Sequence, residues 1–383
     1  MSEIKVNSIK GVAATTAALT INNTDGTCTA NITNNLSNRN LIINGGMKVA
    51  QRGTVTQLLY NYAGPDRFYL SGDGGQRSTI SSDSITVDSK GQSHAYKLDV
   101  ATANASPSAG HYQMIQYRFE GRDLQHLEKG TSNAQPITLS FWVKSPKAGT
   151  HIVGLNDVTN SYRHINKSYT VTNANQWQKV TITFEGDTTG VLANSNALAF
   201  QINWWLMAGS TFSSGTLQTS WGTLTNANRA VGQVNVVDST SNDFYLTGVQ
   251  LEVGSVATDF EHRSFGQELA LCYRYYYRES IENTEFFNGL GKVDSDGNSI
   301  DLNLKFPVTM RTTPTAVEQA GSGTNYLIRG SSTLQCTGVP TYGDATQQSA
   351  TIRFTRSSHG ISTNNVANCG AWGASFLGFS AEL

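Results

Sequence analysis

Residues 246–278 read LTGVQLEVGSVATDFEHRSFGQELALCYRYYYR, which is a strand pattern followed at once by a helix pattern. Two sets of residues alternate in the first part with a period of two, as they do in a half-buried strand. The two sets are Leu246, Gly248 and Gln250 against Thr247, Val249 and Leu251. We expect this strand to close a β domain and to end at Gly254.

A helix is predicted directly after this strand. Ser264 can accept hydrogen bonds from the first free amides of the helix, and Gln267 can reach back to Ser264, so the two residues form a capping box. Such a helix leaves little surface suited to water, and we expect it to pack between domains or subunits. Its apolar faces are formed by Phe265, Leu269, Cys272 and Tyr276 on one side and by Leu271 and Tyr275 on another.

The composition is typical of a β protein. Of the 383 residues, 14% are charged and 36 are glycine, and threonine, serine and asparagine fill the segments between short apolar runs. The length allows two or three domains, each with its own core. The predicted fold class is mainly all-β, with an N-terminal β arm, an antiparallel jelly-roll sandwich, one connecting helix and a small C-terminal β domain.

These four parts are predicted at residues 1–40, 41–262, 263–278 and 279–383. The sandwich is inferred from a succession of strands without a helix long enough to connect parallel strands. Its clearest strands are expected at 95–100, 111–119, 137–144, 179–184, 197–207 and 244–251, with a helical turn at 122–129. In the C-terminal domain, strands are expected at 285–293, 299–306, 315–319, 326–329, 350–355 and 375–382.

The N-terminal arm has too few apolar residues for a core of its own. It is either disordered or completed by strand pairing with a partner or with copies of itself, and we prefer the second alternative. Ile4, Val6 and Ile9 are the predicted anchoring residues of this arm. The sequence NNTDGT at Asn22 to Thr27 predicts a hairpin turn after a short strand at Leu19 to Ile21.

Exposed aromatic side chains beside polar groups are the pattern that binds sugars. Trp204 and Trp205 are adjacent in a strand, so they point to opposite faces, and Trp204 shares the apolar face with Ile202 and Leu206. Trp205 is therefore the candidate for an outer surface or a subunit contact. Polar loops of the C-terminal domain carry further candidates for receptor contact: Tyr326, Tyr342, His359 and Trp372.

Little in the sequence supports a metal, cofactor or catalytic site. Residues 294–298 read DSDGN, which imitates half of a calcium loop, but the bidentate glutamate is missing and a hairpin turn explains the sequence. Carboxylates cannot be paired from the sequence as a glycosidase requires. His151, His164 and Asp157 could be assembled into a catalytic group, but isolated histidines in strands are usually structural. We expect no enzymatic activity, no cofactor and no metal.

The charge pattern makes some partners improbable. The formal charge is −1, and lysine and arginine are spread evenly, so the chain lacks a basic surface for nucleic acid or anionic membrane. No apolar run approaches the ~20 residues that span a bilayer, and the first ten residues do not resemble a signal peptide. The cysteines Cys28, Cys272, Cys336 and Cys369 are widely spaced, which predicts free thiols.

Several stretches of the sequence together resemble bacteriophage tail-fibre and virion structural proteins. The stretch from Thr247 to Arg278 and FPVTMRTTPTAV at Phe306 to Val317 resemble their C-terminal part. NLIINGGMKVAQRGT at Asn40 to Thr54, DRFYL at Asp66 and ITLSFWVKSPKAGTH at Ile137 resemble their jelly-roll domains, whose fold is akin to carbohydrate-binding modules. Where related modules hold a structural calcium with an aspartate in the closing strand, this chain has Thr247 and Gly248, so that metal is not expected.

The resemblance implies a bacteriophage tail-fibre protein that attaches the virion to the host cell surface. Its arm would dock on other phage tail proteins, and its C-terminal domain would bind a host surface glycan or protein receptor. A homotrimer is expected, because the helix and the arm both require neighbours. Such a protein would be made and assembled in the cytoplasm of the bacterial host and would reside in the virion tail. The alternatives are a purely structural virion component and a glycan depolymerase.

Overall fold

A computed structural model describes residues 8–9, 19–21, 24, 28–30, 38–87, 91–281, 285–295, 297–330, 332–363, 365–373 and 375–383. Three short strands precede the first large unit: β1 (Ser8–Ile9), β2 (Leu19–Ile21) and β3 (Cys28–Ala30). They form an antiparallel sheet in which Leu19 is opposite Ala30, and the predicted turn at Asn22 to Thr27 lies outside the described residues except for Thr24. Of the predicted anchoring residues, Ile4 and Val6 lie outside the described residues, and Ile9 ends β1.

Twelve strands form the first large unit, and their order along the chain is as follows. They are β4 (Val55–Leu58), β5 (Asn61–Tyr62), β6 (Phe68–Asp73), β7 (Arg77–Val87), β8 (Gln92–Thr102), β9 (Tyr112–Glu120), β10 (Ile137–Lys144), β11 (Gly149–Asp157), β12 (Arg163–Val171), β13 (Gln178–Phe184), β14 (Leu198–Ala208) and β15 (Asp243–Val253). Helical turns lie at Gly121–Leu127, at Asn226–Asn228 and at α1 (Ser210–Ser213).

These strands make a sandwich of two six-stranded antiparallel sheets. Sheet 1 has the order β13-β10-β15-β8-β7-β4, and sheet 2 has the order β12-β11-β14-β9-β6-β5. The inward residues of both sheets form one core, with Phe68, Tyr96, Phe141, Trp204 and Leu246 among its buried members. The predicted jelly-roll class is confirmed, because every pair in both sheets is antiparallel.

The closing strand β15 differs from the prediction in one respect. Its end at Val253, directly before Gly254, agrees with the prediction. The difference is that β15 is buried on both faces along most of its length, whereas a half-buried strand is buried on one face only. The reason is a chain segment, residues 254–263, that crosses the outer face of sheet 1. The backbone amides of Glu261 and Thr258 donate to the side chains of Gln250 and Glu252, each at 2.8 Å, and fix this covering segment to β15.

The capping box at Ser264 is confirmed, but the helix is shorter than predicted. Helix α2 spans Phe265–Tyr273, and Ser264 Oγ accepts from the amide of Gln267 at 3.3 Å. Tyr276 lies in the next strand, so it cannot share a helical face with Phe265. Cys272 is buried, whereas Phe265 and Leu271 are 56% and 38% exposed. Neighbours within the single chain thus cover one side of the helix, and packing of its other side against another subunit stays a prediction.

A second unit follows the helix. Its strands are β16 (Tyr276–Ser280), β17 (Glu285–Phe286), β18 (Gly291–Val293), β19 (Ser299–Lys305), β20 (Glu318–Gln319), β21 (Tyr326–Arg329), β22 (Thr333–Gln335), β23 (Thr341–Ala345), β24 (Ser349–Thr355), β25 (Val366–Ala371) and β26 (Phe376–Ser380). They form the sheet β16-β26-β20 and the sheet β22-β21-β25-β18-β19-β24-β23, with β17 paired to β25. A separate core lies between them.

The predicted hairpin around residues 294–298 is confirmed by the pairing of β18 with β19. A turn hydrogen bond joins Gly297 N to Asp294 O at 3.1 Å, and Asp294 forms an ion pair with Arg353 at 3.0 Å. Strands β23 and β25 lie in segments that the sequence predicts as loops. Strand β25 is held by pairing with β21, which is distant in sequence, whereas β23 forms a hairpin with the next strand, β24.

The two units meet in an interface built around buried arginines. Arg67 is 1% exposed, donates to a carboxylate oxygen of Glu382, and stacks at 3.4 Å on the ring of Tyr275. Arg52 lies 3.5 Å from the ring of Tyr276 and 3.3 Å from Glu382. Burial alone would lower the pKa of Arg67, but the carboxylate of Glu382 and the nearby tyrosines together raise this pKa above its usual value. The C-terminal unit is therefore fastened to the sandwich through residues at the far end of the chain.

Asp66 gives this region a pH dependence. Burial raises the pKa of its carboxyl group to about 6, even though Gln51 donates to both carboxylate oxygens. The folded state thus binds this proton more tightly than the unfolded chain, whose aspartates titrate near ~4. The protonated carboxyl group of Asp66 therefore stabilises the folded state. This stabilisation is fully present below about pH 4 and is lost as the pH rises through about 6.

We therefore expect Asp66→Asn to remove one component of the pH profile. The free energy of unfolding of the native chain, minus that of the variant, should fall between about pH 4 and pH 7. Urea denaturation at a series of pH values measures this difference. The exposed Asp73→Asn is the matched control, and a difference for Asp66→Asn that does not change with pH would contradict the assignment.

Candidate functional site

Trp205 lies on the opposite face of β14 from Trp204, as the strand period predicts, but it is not on an outer surface. Its side chain is 1% exposed and packs against Tyr112 and Phe212, with ring centroids 6.3 and 5.6 Å away. Residues 209–230 fold over this face of sheet 2 and place the guanidinium of Arg229 5.0 Å from the Trp205 ring. The prediction of an exposed Trp205 is wrong, because a long connection covers it.

The aromatic candidates of the C-terminal unit are more enclosed than their loops suggest. Tyr326 is fully buried, and its hydroxyl lies 3.0 Å from the carbonyl oxygens of Ala320 and Phe376. Tyr342 is half-buried and donates to Pro314 O at 2.5 Å. Both hydroxyl groups are thus used within the fold, and the Tyr326 ring cannot offer a face to a ligand.

His359 and Trp372 complete this set. His359 is buried, and its Nδ1 accepts from the amide of Ile361 at 3.2 Å. Trp372 is half-buried, and its backbone amide donates to Asn325 O at 2.8 Å. A receptor role for Tyr342 and Trp372 stays a prediction, since part of each side chain reaches solvent.

A groove on the outer face of sheet 1 combines aromatic and polar side chains. This combination was predicted at Trp205 and in the C-terminal loops. The volume of the groove is about 470 Å³, within the range of ligand pockets. It combines aromatic, amide and charged side chains from four strands and from the covering segment. The lining residues are Gly91, Gln92, Ser140, Trp142, Lys179, Gly248, Asp259, Phe260 and His262.

The floor of the groove contains an amide without a partner. Gln92 is 4% exposed, and neither its Oε1 nor its Nε2 has a hydrogen-bond partner among the residues that the structure describes. Gly248 adopts φ +58°, and a β-carbon there would lie 3.3 Å from Gln92 Nε2 and 3.1 Å from Trp142 Cδ1. A side chain at this position would be strained and would fill the floor, so glycine keeps the groove open.

Aromatic rings form the sides of the groove. Trp142 is half-buried and points outward from β10, whose neighbours Phe141 and Val143 point into the core. Phe260 stands on the covering segment, with its ring 4.9 Å from that of His262 in an edge-to-face arrangement. The covering segment is held in place by Gln250 and by Arg39, which donates to Asp259 O at 2.8 Å. Aromatic faces are thus set on a rigid support above a polar floor.

The sequence contained one signal for this groove. In ITLSFWVK, the inward set Leu139, Phe141 and Val143 predicts that Trp142 points outward with Ser140 and Lys144. An outward tryptophan between polar neighbours could have been selected as a ligand contact. Gln92, Gly248 and Phe260 carry no such signal, because only the strand order and the covering segment bring them to Trp142.

His151, His164 and Asp157, the residues considered as a catalytic group, are buried in the first large unit. His151 and His164 are fully buried, and burial together with the nearby Arg229 lowers the pKa of His164 to about 4. Asp157 is held by Lys129, and it also accepts from Thr159 and Asn160. All three side chains are thus enclosed in the sandwich.

Two other features bear on possible sites. Within the described ranges, histidine, cysteine, aspartate and glutamate residues form no group of three or more that could hold a metal ion. Among the described residues, no helix has both the length and the apolarity to cross a membrane. Cys272, Cys336 and Cys369 are buried free thiols.

Comparison with known proteins gives structural matches only. No family model matches the chain, and no curated protein matches it. The enzymatically active domain of tailspike protein 4 of bacteriophage CBA120 matches with a TM-score of 0.30 and 11% identity, over 56% of this chain and 21% of that chain.

Two carbohydrate-binding modules match to a similar extent. The family 11 module of the cellulosomal cellulase Lic26A-Cel5E of Clostridium thermocellum has a TM-score of 0.27 and 12% identity, over 55% of this chain and 98% of its own. TmCBM61, solved with β-1,4-galactotriose, has a TM-score of 0.28 and 10% identity, over 56% of this chain and 99% of its own. Similarities this low do not bear on what this chain binds.

Proposed function

We propose that this chain is a glycan-binding attachment protein of a bacteriophage tail fibre, and that the groove on sheet 1 binds the glycan. The observation that carries the proposal is the unpartnered amide of Gln92 beneath Trp142 and beside Phe260. An aromatic face covers the apolar face of a sugar ring, while amide and hydroxyl groups bond its hydroxyls. The tail-fibre assignment is supported by the phrases at residues 40–54, 137–151 and 247–278.

The remaining parts of the proposal concern assembly. The arm, which contains Ile9, anchors the chain to other tail proteins, and the chain forms a homotrimer in the virion. Several weak sites on one fibre would then act together, because binding of one raises the effective concentration of the others. Groove binding replaces the C-terminal loops as the primary receptor contact, since Tyr326 and His359 are buried.

Full-length protein is required for the test. Truncation after Arg278 would remove Glu382 and leave the buried guanidinium of Arg67 without its carboxylate. It would also remove Leu383 O, to which Arg118 donates at 2.6 Å. A truncated chain that fails to bind cells would therefore report a damaged sandwich as well as a missing domain.

We expect Trp142→Ala to weaken glycan binding by about 2 kcal/mol, or roughly thirtyfold in Kd, because it removes the largest aromatic surface of the groove. The measurement is binding of fluorescent full-length protein to bacterial strains and to the polysaccharides extracted from them. Tyr60→Ala is the matched control. Tyr60 is 61% exposed and lies between β4 and β5, which are edge strands of the two sheets away from the groove. Trp372→Ala and Tyr342→Ala test the C-terminal loops in the same assay.

The variant Gln92→Met distinguishes a loss of glycan affinity from a loss of stability. An unpartnered buried amide costs about 1 to 3 kcal/mol, so an apolar side chain of similar size should maintain or raise the thermal stability. The same change should lower glycan affinity roughly fivefold, by removing a hydrogen-bonding group. Loss of affinity with undiminished stability supports the groove. Unchanged affinity in both Gln92→Met and Trp142→Ala would exclude it.

A structural role in the virion is the second candidate. It is favoured by helix α2, whose exposed Phe265 and Leu271 would suit a contact with another virion protein. Failure of the intact protein to bind any strain or polysaccharide would support this role over attachment.

A further inference from the structure

The outer face of sheet 1 continues beyond the groove as a row of aromatic rings. Trp142 on β10 and Lys179 on β13 are opposite each other, and Lys144 is opposite Tyr245 on β15. The Trp177 ring lies 6.0 Å from that of Tyr245. We define the aromatic row as Trp142, Tyr245 and Trp177, all half-buried. From strand geometry, Trp142 and Tyr245 are about 8 Å apart along this face.

Two lysines flank this row without a carboxylate partner. Lys179 is exposed beside Trp142, and Lys144 Nζ lies 4.8 Å from the centroid of the Tyr245 ring. Neither ammonium group forms an ion pair with any residue that the structure describes. Both are thus available to a ligand that lies along the row.

The other charged residues of this face lie mainly on neighbouring strands: Asp83 on β7, Lys97 and Asp99 on β8, and Asp243 on β15, where Asp243 is opposite Asp99. Lys97 forms an ion pair with Asp243 at 3.2 Å, and Tyr245 donates to the same carboxylate at 3.3 Å. Glu252 accepts from Thr258 under the covering segment. Asp259 is exposed and is the carboxylate that lines the groove together with Lys179. Lys144 and Lys179 therefore place two unpaired positive charges on β10 and β13 at one side of the aromatic row, whereas the acidic side chains of this face lie on β15, β8, β7 and the covering segment.

We infer that the ligand of this surface is an acidic polysaccharide, whose sugar rings lie on the aromatic row while its anionic groups meet Lys144 and Lys179. This inference rests on the proposed glycan-binding function and deepens it. The shared chemistry is an anion repeated along a sugar chain, either a uronate carboxylate or a phosphodiester. The lysines act at an exposed surface, so each is expected to contribute modestly and in a salt-dependent manner.

The test compares three soluble polymers: neutral dextran, the polyuronate alginate and poly(glycerol phosphate) carrying sugar substituents. The double variant Lys144→Gln, Lys179→Gln should lose about tenfold in affinity for the anionic polymer that binds, and this loss should shrink as salt rises towards about 0.15 M and above. Lys292→Gln, an exposed lysine of the C-terminal unit, is the matched control. Preference for alginate or for the phosphate polymer identifies the anion.

The outcomes distinguish the two proposals. If Trp142→Ala weakens binding but the lysine variants do not, or if dextran binds as well as the anionic polymers, the acidic ligand is excluded and the groove function stands. If neither the anionic polymers nor host polysaccharides bind the native protein, the proposed function fails, and the inference fails with it. Loss of binding by the lysine variants with unchanged thermal stability supports the inference.

Discussion

Replacing Glu382 with glutamine is expected to lower the free energy of unfolding by about 3 to 5 kcal/mol, because it leaves a buried guanidinium without its counter-charge. Arg67 and Glu382 are 1% and 4% exposed at their side chains, so water cannot take over the role of the carboxylate. Arg67 retains a hydrogen bond to Arg118 O at 2.8 Å and its stacking on Tyr275, which do not neutralise its charge. Arg52 loses an ion-pair partner in the same change.

Urea denaturation, followed by tryptophan fluorescence of the sandwich, measures this loss. Glu318→Gln is the matched control, because Glu318 is 45% exposed and lies 3.9 Å from Arg52. An exposed pair of this kind contributes about 1 kcal/mol or less. Equal effects of the two substitutions would mean that the interface does not depend on the buried pair. A large effect of Glu382→Gln alone would show that residues at the far end of the chain stabilise the sandwich.

Lys129→Met is expected to produce a loss of similar size at a second buried ion cluster of the sandwich. Lys129 Nζ lies 2.5 Å from Asp157 Oδ2 and 3.0 Å from Asp187 Oδ2, and it donates to the carbonyl oxygens of Thr189 and Gly190. All three charged side chains are at most 5% exposed. Burial alone would raise the pKa of Asp187, but hydrogen bonds from Arg163 and Lys129 outweigh it and lower this pKa.

Methionine keeps the length of the side chain but supplies no charge to the two carboxylates. We expect a loss of about 3 to 5 kcal/mol in the free energy of unfolding. Lys167→Met is the control, since Lys167 lies 3.5 Å from Glu185 and both side chains are substantially exposed. Thermal unfolding of both variants beside the native protein measures the difference. A Lys129→Met protein as stable as the control would show that the carboxylates find other partners.

The sequence predicted those elements whose determinants lie within a few residues of each other. Strand β10 was predicted with its observed bounds, Ile137–Lys144, because its alternation is complete within eight residues. The capping box of Ser264 and Gln267 was predicted because its two hydrogen bonds join residues three positions apart. The end of helix α2 was placed too late, since the aromatic residues Tyr275 to Tyr277 suit a buried strand as well as a helix.

The groove proposed as the binding site was not predicted from the sequence, although it has the chemistry that was expected at other positions. Aromatic side chains beside amides were expected at Trp205 and in the C-terminal loops, whereas the groove uses Trp142, Phe260 and Gln92. Trp205 is covered by residues 209–230, and a connection of this length has no local signal for the surface on which it folds. Tyr326 was assigned to a loop margin, but its pairing with Ala371 places it in the core.

By itself, the sequence determined the antiparallel β class, the alternation of β10 and β15 and the start of the helix, because periodicity and capping act over short distances along the chain. Only the tertiary structure decided the groove, which joins four strands and the covering segment, and the ion pair of Arg67 with Glu382 across 315 positions. Such contacts depend on strand order and on the path of long connections. Those are fixed by the collective burial of apolar surface, which no single stretch of sequence contains.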